Sequence, residues 1–353
     1  MNATVNRTEF DDLLNDTNIN TSMLSHLSHN LHIYGYLIIG PMLVLVNTPI
    51  FLLVMLRKAL RAPYLVLAVV FLNNGLTGMS AVLMGVQRWI ISSVKEQFIV
   101  HHDCVLDVRP FFQKIIECFR FSLVPIFLLT MFFVDGWSLL MNSVERFCVV
   151  AFPMYYYTHS KRIIFALITI QYAITAIAVI FTVVASLIEP KRYISHFCLL
   201  QNVYNSHFYV TLTLMSSTAS LFSIIVMVIV ILLLKRKFGP QFLSKHSYNR
   251  NLSQFLKNQK RYTHTALISC CFTFFLVVVP SIVQCAYMMN PSIQSQIVVM
   301  FCVYLPFINS FNMVMLFMYR QKDLRNATIH IFKWLFDRKK QHIQPATTAG
   351  FLE

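Results

Sequence analysis

Charge disappears from this chain for long stretches. Ile33–Leu56, Ala62–Gln87, Ile163–Ile188, Phe208–Leu234 and Thr265–Tyr319 contain no Asp, Glu, Lys or Arg. A rise of roughly 1.5 Å per residue lets about 20 apolar residues cross a hydrocarbon core, so each of the first four runs predicts one spanning helix. The last run is interrupted by Asn290-Pro291-Ser292, a turn signal that divides it into Thr265–Met289 and Ile293–Tyr319. Phe121–Val144 is broken only by Asp135 and supplies a seventh span. The expectation is an all-α membrane protein, with a seven-helix transmembrane bundle over residues 33–319.

Composition agrees. The chain has 353 residues, of which 57% are apolar and 12% charged, with a mean hydropathy of +0.61. Soluble domains carry about 25% charged residues, and half that charge does not clothe a water-facing surface. A soluble enzyme is thereby disfavoured, and only 8 Gly removes collagen-like and Gly-rich classes.

The net charge of +15 would suggest nucleic acid on a soluble protein, but here it is a topology signal. With the N-terminus outside, the cytoplasmic side holds three Lys or Arg in the first loop, three at the second, eight in the third and seven after the last span; the other side holds eight. The positive-inside rule then selects N-out, C-in, with the cationic rim facing anionic membrane lipid and cytoplasmic partners rather than nucleic acid. Residues 1–32 read as an extracellular polar tail with glycosylation acceptors at Asn2, Asn6, Asn15 and Asn20. No positively charged segment precedes an apolar core there, so the first span is expected to act as the insertion signal of a multi-pass plasma-membrane protein. Residues 320–353 form a cytoplasmic tail. Within it, Asp323–Phe336 places Leu324, Ala327, Ile331, Trp334 and Leu335 on one helical face, which predicts an amphipathic helix on the inner leaflet.

Five cysteines, Cys148, Cys270, Cys271, Cys285 and Cys302, fall within or at the ends of spans, where they read as small apolar residues. Cys104, Cys118 and Cys198 lie on the oxidising side; three thiols allow one disulfide and leave one over.

At the inner end of the third span stand Glu145-Arg146-Phe147, followed by Pro153-Met154-Tyr155-Tyr156. An acid, Arg and aromatic, then Pro seven residues after the Arg, resemble the signature of rhodopsin-like G-protein-coupled receptors across roughly residues 33–336. Within that class the chain is similar to nematode serpentine chemoreceptors of the sx type, through Gln259-Lys260-Arg261 before span six, Tyr319-Arg320 and Asp323-Leu324-Arg325. The physics of Glu145 and Arg146 stands beside the resemblance. A permanently charged guanidinium with five donors pairs with the neighbouring carboxylate, and can meet a partner's carbonyls when helices part.

The resemblance implies a receptor that binds an extracellular ligand, a small-molecule cue or a peptide, and activates a heterotrimeric G protein without being an enzyme. Coupling and activation would involve Glu145, Arg146, Phe147, Pro153, Lys260, Arg261, Pro280 and Asn312. Pro280, with Phe274 six residues before it, matches the kinked sixth helix. A disulfide is implied between Cys198 and the head of span three, with Cys118 favoured over Cys104. Departures are as plain: Val278 replaces the usual Trp before Pro280, span four has no Trp, and span seven keeps only Asn312 of the expected Asn-Pro-x-x-Tyr.

Two positions carry sharper expectations. Aligning Gly78 puts Asn74 where the family generally has a sodium-binding Asp, while Asp135 stands where it usually has Ser. An ionisable residue inside a span is costly and functional by default. Asp135 is therefore expected to hold a sodium ion or a proton among Asn47, Asn74, Asn309 and Asn312, or else to be a protonated carboxyl bonded to those amides. Lys260 stands where many relatives place an acid that pairs with the Arg of span three. Like charges disfavour that contact, which predicts no resting lock and high basal signalling.

Register from Arg146 and Pro280 points to a pocket of Val124, Leu128, Leu129 and Phe132 on span three. Met215 and Thr218 would join from span five, Ser281, Ile282 and Cys285 from span six, and Cys302 from span seven. Leu128 occupies the place of the Asp that anchors amines, which disfavours a biogenic amine. Arg88–Arg120 reads as a solvated loop or as a vestibule for a peptide. No metal-ligand spacing, phosphate loop or catalytic set is visible, and no cofactor is implied. The competing readings are a neuropeptide-type receptor of the same fold, a transporter or channel, and a membrane enzyme.

Overall fold

The computed structural model describes residues 7–92, 98–100, 124–190, 193–195, 200–237, 250–289, 296–321, 324–329 and 333. Its long helices are α1 (Arg7–Leu56), α2 (Lys58–Ser92), α3 (Val124–Ala151), α4 (Pro153–Ile188), α5 (Ser206–Lys237) and α7 (Gln296–Arg320). Between α5 and α7 lies α6, helical over Arg250–Thr273, π-helical over Phe274–Val278 and helical again over Val279–Met289. Seven of these segments are long and apolar enough to cross a membrane, and each coincides with one expected span. Such helices satisfy their backbone groups internally, which lipid requires. Their outer faces carry Leu45, Phe165 and Ile188, each more than 70% exposed, as a surface meant for lipid rather than water.

α3 is the central pillar, packed on α2, α4 and α5; α1 leans on α2 and α7, and α6 closes against α5 and α7. Close approach comes from small residues. A Cβ on Gly40 would stand 2.9 Å from the Gly78 carbonyl and one on Gly78 2.9 Å from the Gly40 carbonyl, so the α1 and α2 backbones touch directly. Gly136 does the same for α3 and α5, where a Cβ would meet the Ser216 side chain and lie 2.6 Å from its carbonyl oxygen.

Several boundaries differ from the expectation. α1 reaches back to Arg7 through most of the polar tail, carrying Asn15 and Asn20 on helix, while Asn2 and Asn6 lie outside the described residues. Phe152 alone separates α3 from α4, so the expected second loop is helical. Pro153 sits at the first helical position of α4, where its missing N–H costs nothing. α2 runs on to Ser92, which takes Arg88 out of the loop and onto a helix.

Two segments read as loops pair as a short antiparallel ribbon, β1 (Phe98–Val100) with β2 (Tyr193–Ser195), at the end of the bundle where α2 finishes and α5 begins. Cys104, Cys118 and Cys198 lie outside the described residues. Past α7, residues 324–329 are helical, and Leu324 and Ala327 bury against Val54, Phe71 and Phe317 in the protein core rather than facing lipid. Ile331, Trp334 and Leu335 fall outside the described residues.

Candidate functional site

A cavity of about 120 Å³ runs from the ribbon end to the middle of the bundle. α3 contributes Leu129, Phe132, Phe133, Asp135, Gly136 and Leu139, and α5 contributes Tyr209, Leu212, Thr213, Ser216 and Ser220. α6 adds Val277, Ser281 and Gln284, and α7 adds Cys302, Val303, Pro306, Asn309 and Ser310. Tyr36 and Arg88 complete it from α1 and α2. Mostly apolar walls with a few convergent polar groups are the usual form of a small-molecule site between helices.

Four of the expected lining residues are there: Leu129, Phe132, Ser281 and Cys302. Val124 and Leu128 instead pack with Tyr36, Met84, Tyr304 and Phe307 in a core cluster beside the cavity, and Cys285 is buried without lining it. The expectation fails at Met215 (38% exposed), Thr218 and Ile282 (54% exposed), which face away from the bundle. α5 carries apolar and hydroxyl residues on all sides, so its pattern does not reveal its inward face. The true stripe, Tyr209, Thr213, Ser216 and Ser220, keeps the helical spacing of three to four residues that Met215 and Thr218 break. On α6, Ile282 is one residue, about 100° of rotation, past the inward Ser281.

Arg88 was expected at the start of a loop, either solvated or forming a vestibule, and is 2% exposed inside the bundle. Its guanidinium carbon lies 4.7 Å from the Tyr36 ring centre, a cation–π contact at the mouth of the cavity. Thr77, Ala81, Met84 and Arg88 are all buried on one side of α2, at spacings of four, three and four residues. That periodicity is the sequence signal that identifies Arg88 as inward-facing.

Deeper in the cavity, Asp135 accepts a hydrogen bond from the Thr77 hydroxyl at 3.0 Å through Oδ2, while its buried Oδ1 has no partner among the described residues. Asn309 lines the same cavity and accepts from the Thr273 hydroxyl at 3.0 Å. The other expected amides are not bonded to Asp135. Asn47 donates to the Leu43 carbonyl of its own helix at 3.0 Å, and the amide nitrogens of Asn74 and Asn312 have no partner among the described residues. A neighbouring polar node ties three helices: Asn73 and Gln171 each donate to the Ser138 hydroxyl at 2.7 Å, and Tyr172 donates to Asn73 Oδ1 at 2.6 Å. Among the described residues no three His, Cys, Asp or Glu side chains converge as a metal site.

The opposite end of α3 holds the second polar constellation. Glu145 and Arg146 are both buried, and Arg146 Nη2 donates to Glu145 Oε2 at 2.7 Å. Tyr156, in the first turn of α4, donates to Glu145 Oε1 at 2.7 Å, so both carboxylate oxygens are engaged. Phe147 packs edge-on against Phe152 at 6.4 Å, beside Val150, Val230 and Leu234. The ion pair is closed, and Tyr156 of α4 holds its carboxylate in place.

On α6, Pro280 is buried just after the π-helical turn. Proline clashes with the carbonyl four residues back, and the wider turn, in which Val279 N–H donates to Phe274 O, accommodates it. Arg261 is half-buried at the same end as Arg146, and its carbonyl accepts from the Thr265 hydroxyl at 2.8 Å. The Lys260 side chain lies outside the described residues.

No protein-family model matches this chain, and no curated protein matches it.

Proposed function

We propose that the chain is a G-protein-coupled receptor of the rhodopsin-like kind, of chemosensory type, in the plasma membrane. The ribbon end faces outward with the N-terminus, and the Glu145–Arg146 end faces the cytoplasm with the basic third loop. A small extracellular cue enters the cavity between α3, α5, α6 and α7, and a heterotrimeric G protein docks around Arg146, Phe147, Pro153, Lys260 and Arg261.

One observation carries the reading: the buried Glu145–Arg146 pair capped by Tyr156, at the far end of the helix whose middle lines the cavity. Removing one partner of a buried ion pair costs about 3–5 kcal/mol, so the closed pair is a discrete state. A ligand that repositions α3 shifts the pair relative to Tyr156 on α4. The π-helical turn before Pro280 supplies a place for α6 to bend. Asp135, which lines the cavity and whose Oδ1 has no partner among the described residues, is the proposed site of a sodium ion or a proton that leaves when the bundle rearranges.

Cys198 pairs with Cys118 in this reading, and the N-terminal sequons carry glycans. Expression with promiscuous G proteins, screened against volatile and peptide libraries, tests the proposal. Ligand responses that vanish in Arg146→Ala support it, and responses that survive that substitution contradict it.

A further inference from the structure

We propose that the cavity takes an amphipathic monocarboxylic acid, its carboxylate held at Arg88 and its apolar body directed toward the middle of the bundle. The inference rests on reading the cavity as the ligand site. Arg88 lines the mouth while 2% exposed and bonds the Tyr36 side chain, and an ionisable residue inside a spanning bundle marks a functional site. Tyr36, 4.7 Å beneath the guanidinium carbon, fixes where that charge sits. α2 rises toward the ribbon end, and helical side chains tilt toward their own N-terminus, so Arg88 leans back into the cavity. A guanidinium offers a planar fork of donors that matches a carboxylate.

Below Arg88 the wall is mostly apolar, with Leu129, Phe132, Phe133 and Val303, and its Gln284 amide is already bonded to the Tyr209 hydroxyl at 3.3 Å. Farther down, Thr77 marks the level of Asp135, eleven residues before Arg88 on the same helix, or about 16 Å along its axis. The two ends of the cavity therefore carry different ionisable groups, a guanidinium and a carboxyl. The Asp135 carboxyl disfavours a second carboxylate beside it, while Arg88 attracts one, and the apolar stretch between them suits a hydrocarbon chain.

Equilibrium dialysis of labelled dodecanoate against the detergent-purified full chain tests this directly. Saturable binding is expected, displaced by excess dodecanoate but not by methyl dodecanoate or dodecylamine, which share the chain and lack the acid. Arg88→Gln is expected to weaken dodecanoate binding by about tenfold or more, with Arg88→Lys intermediate because it keeps the charge and loses the fork. Should Arg88→Gln fail to fold, Val303→Trp fills the apolar stretch without touching the cation and is expected to block binding.

Absence of saturable binding, equal competition by the methyl ester, or wild-type affinity in a folded Arg88→Gln chain overturns the proposal. Dialysis needs no G protein. Acid binding by a chain that never promotes nucleotide exchange would sink the receptor reading alone, and exchange activity without acid binding would sink this one alone.

Discussion

The Tyr156 hydroxyl lies 2.7 Å from Oε1 of Glu145, so the first turn of α4 grips the carboxylate whose other oxygen holds Arg146. Because Phe152 alone separates the two helices, this bond also fixes how α4 starts relative to the end of α3. The proposed resting state is thus secured by a tyrosine on α4 rather than by an acid on α6.

Tyr156→Phe keeps the ring and removes only that donor. A hydrogen bond to a charged group contributes about 1.5–3 kcal/mol. The variant is expected to unfold at lower temperature and, in a ligand-free reporter assay, to signal above wild type. Wild-type output together with wild-type stability would refute the role given to Tyr156.

Gly136→Ala forces α3 and α5 apart, because the new Cβ meets the Ser216 side chain and lies 2.6 Å from the Ser216 carbonyl oxygen. Overpacking of this kind costs about 1–3 kcal/mol. Adding Ser216→Ala removes the hydroxyl and leaves the carbonyl, so the double variant is expected to stay destabilised in thermal unfolding. Full rescue would show that the side chain, not the backbone approach, sets the helix separation.

Asp135→Asn preserves an acceptor for the Thr77 hydroxyl and removes the charge. Wild type is expected to be thermally stabilised by sodium over a potassium control, since an ion that binds the folded state raises its stability. The Asn variant is expected to lose that difference and the pH dependence of its ligand response. An equal sodium effect in both chains would exclude Asp135 as the ion site.

Lys260→Glu restores the acid that the resemblance implies as the partner of Arg146. Ligand-free signalling is expected to fall below wild type, because the new pair adds to the closed state. Unchanged basal output at equal surface expression would remove Lys260 from the account.

The sequence was most legible where charge is absent, since lipid leaves a chain few alternatives to apolar helices. Six of the seven spans were found that way, the third being interrupted by Asp135, and Pro280 set the phase of α6 well enough to place Ser281. The same criterion hid Arg88. Counting uncharged residues stops a span at the first charge, although the spacing of Thr77, Ala81, Met84 and Arg88 continues the buried face. α5 failed for a different reason: apolar and hydroxyl residues are spread all round it, so only packing against Gly136 and Phe132 decides that Ser216, not Met215, turns inward. The Glu145–Arg146 pair was readable from adjacency, whereas Tyr156 was quoted only as part of a motif, because its contact depends on where α4 begins.

Nucleotide exchange on purified heterotrimeric G proteins, driven by the full chain reconstituted in lipid vesicles, tests the central claim most directly. Ligand-free wild type is expected to speed exchange on at least one Gα class, and Arg146→Ala to return it to the rate of empty vesicles. Exchange that never exceeds the empty-vesicle rate, with or without ligand, or that is equal in wild type and Arg146→Ala, would contradict it.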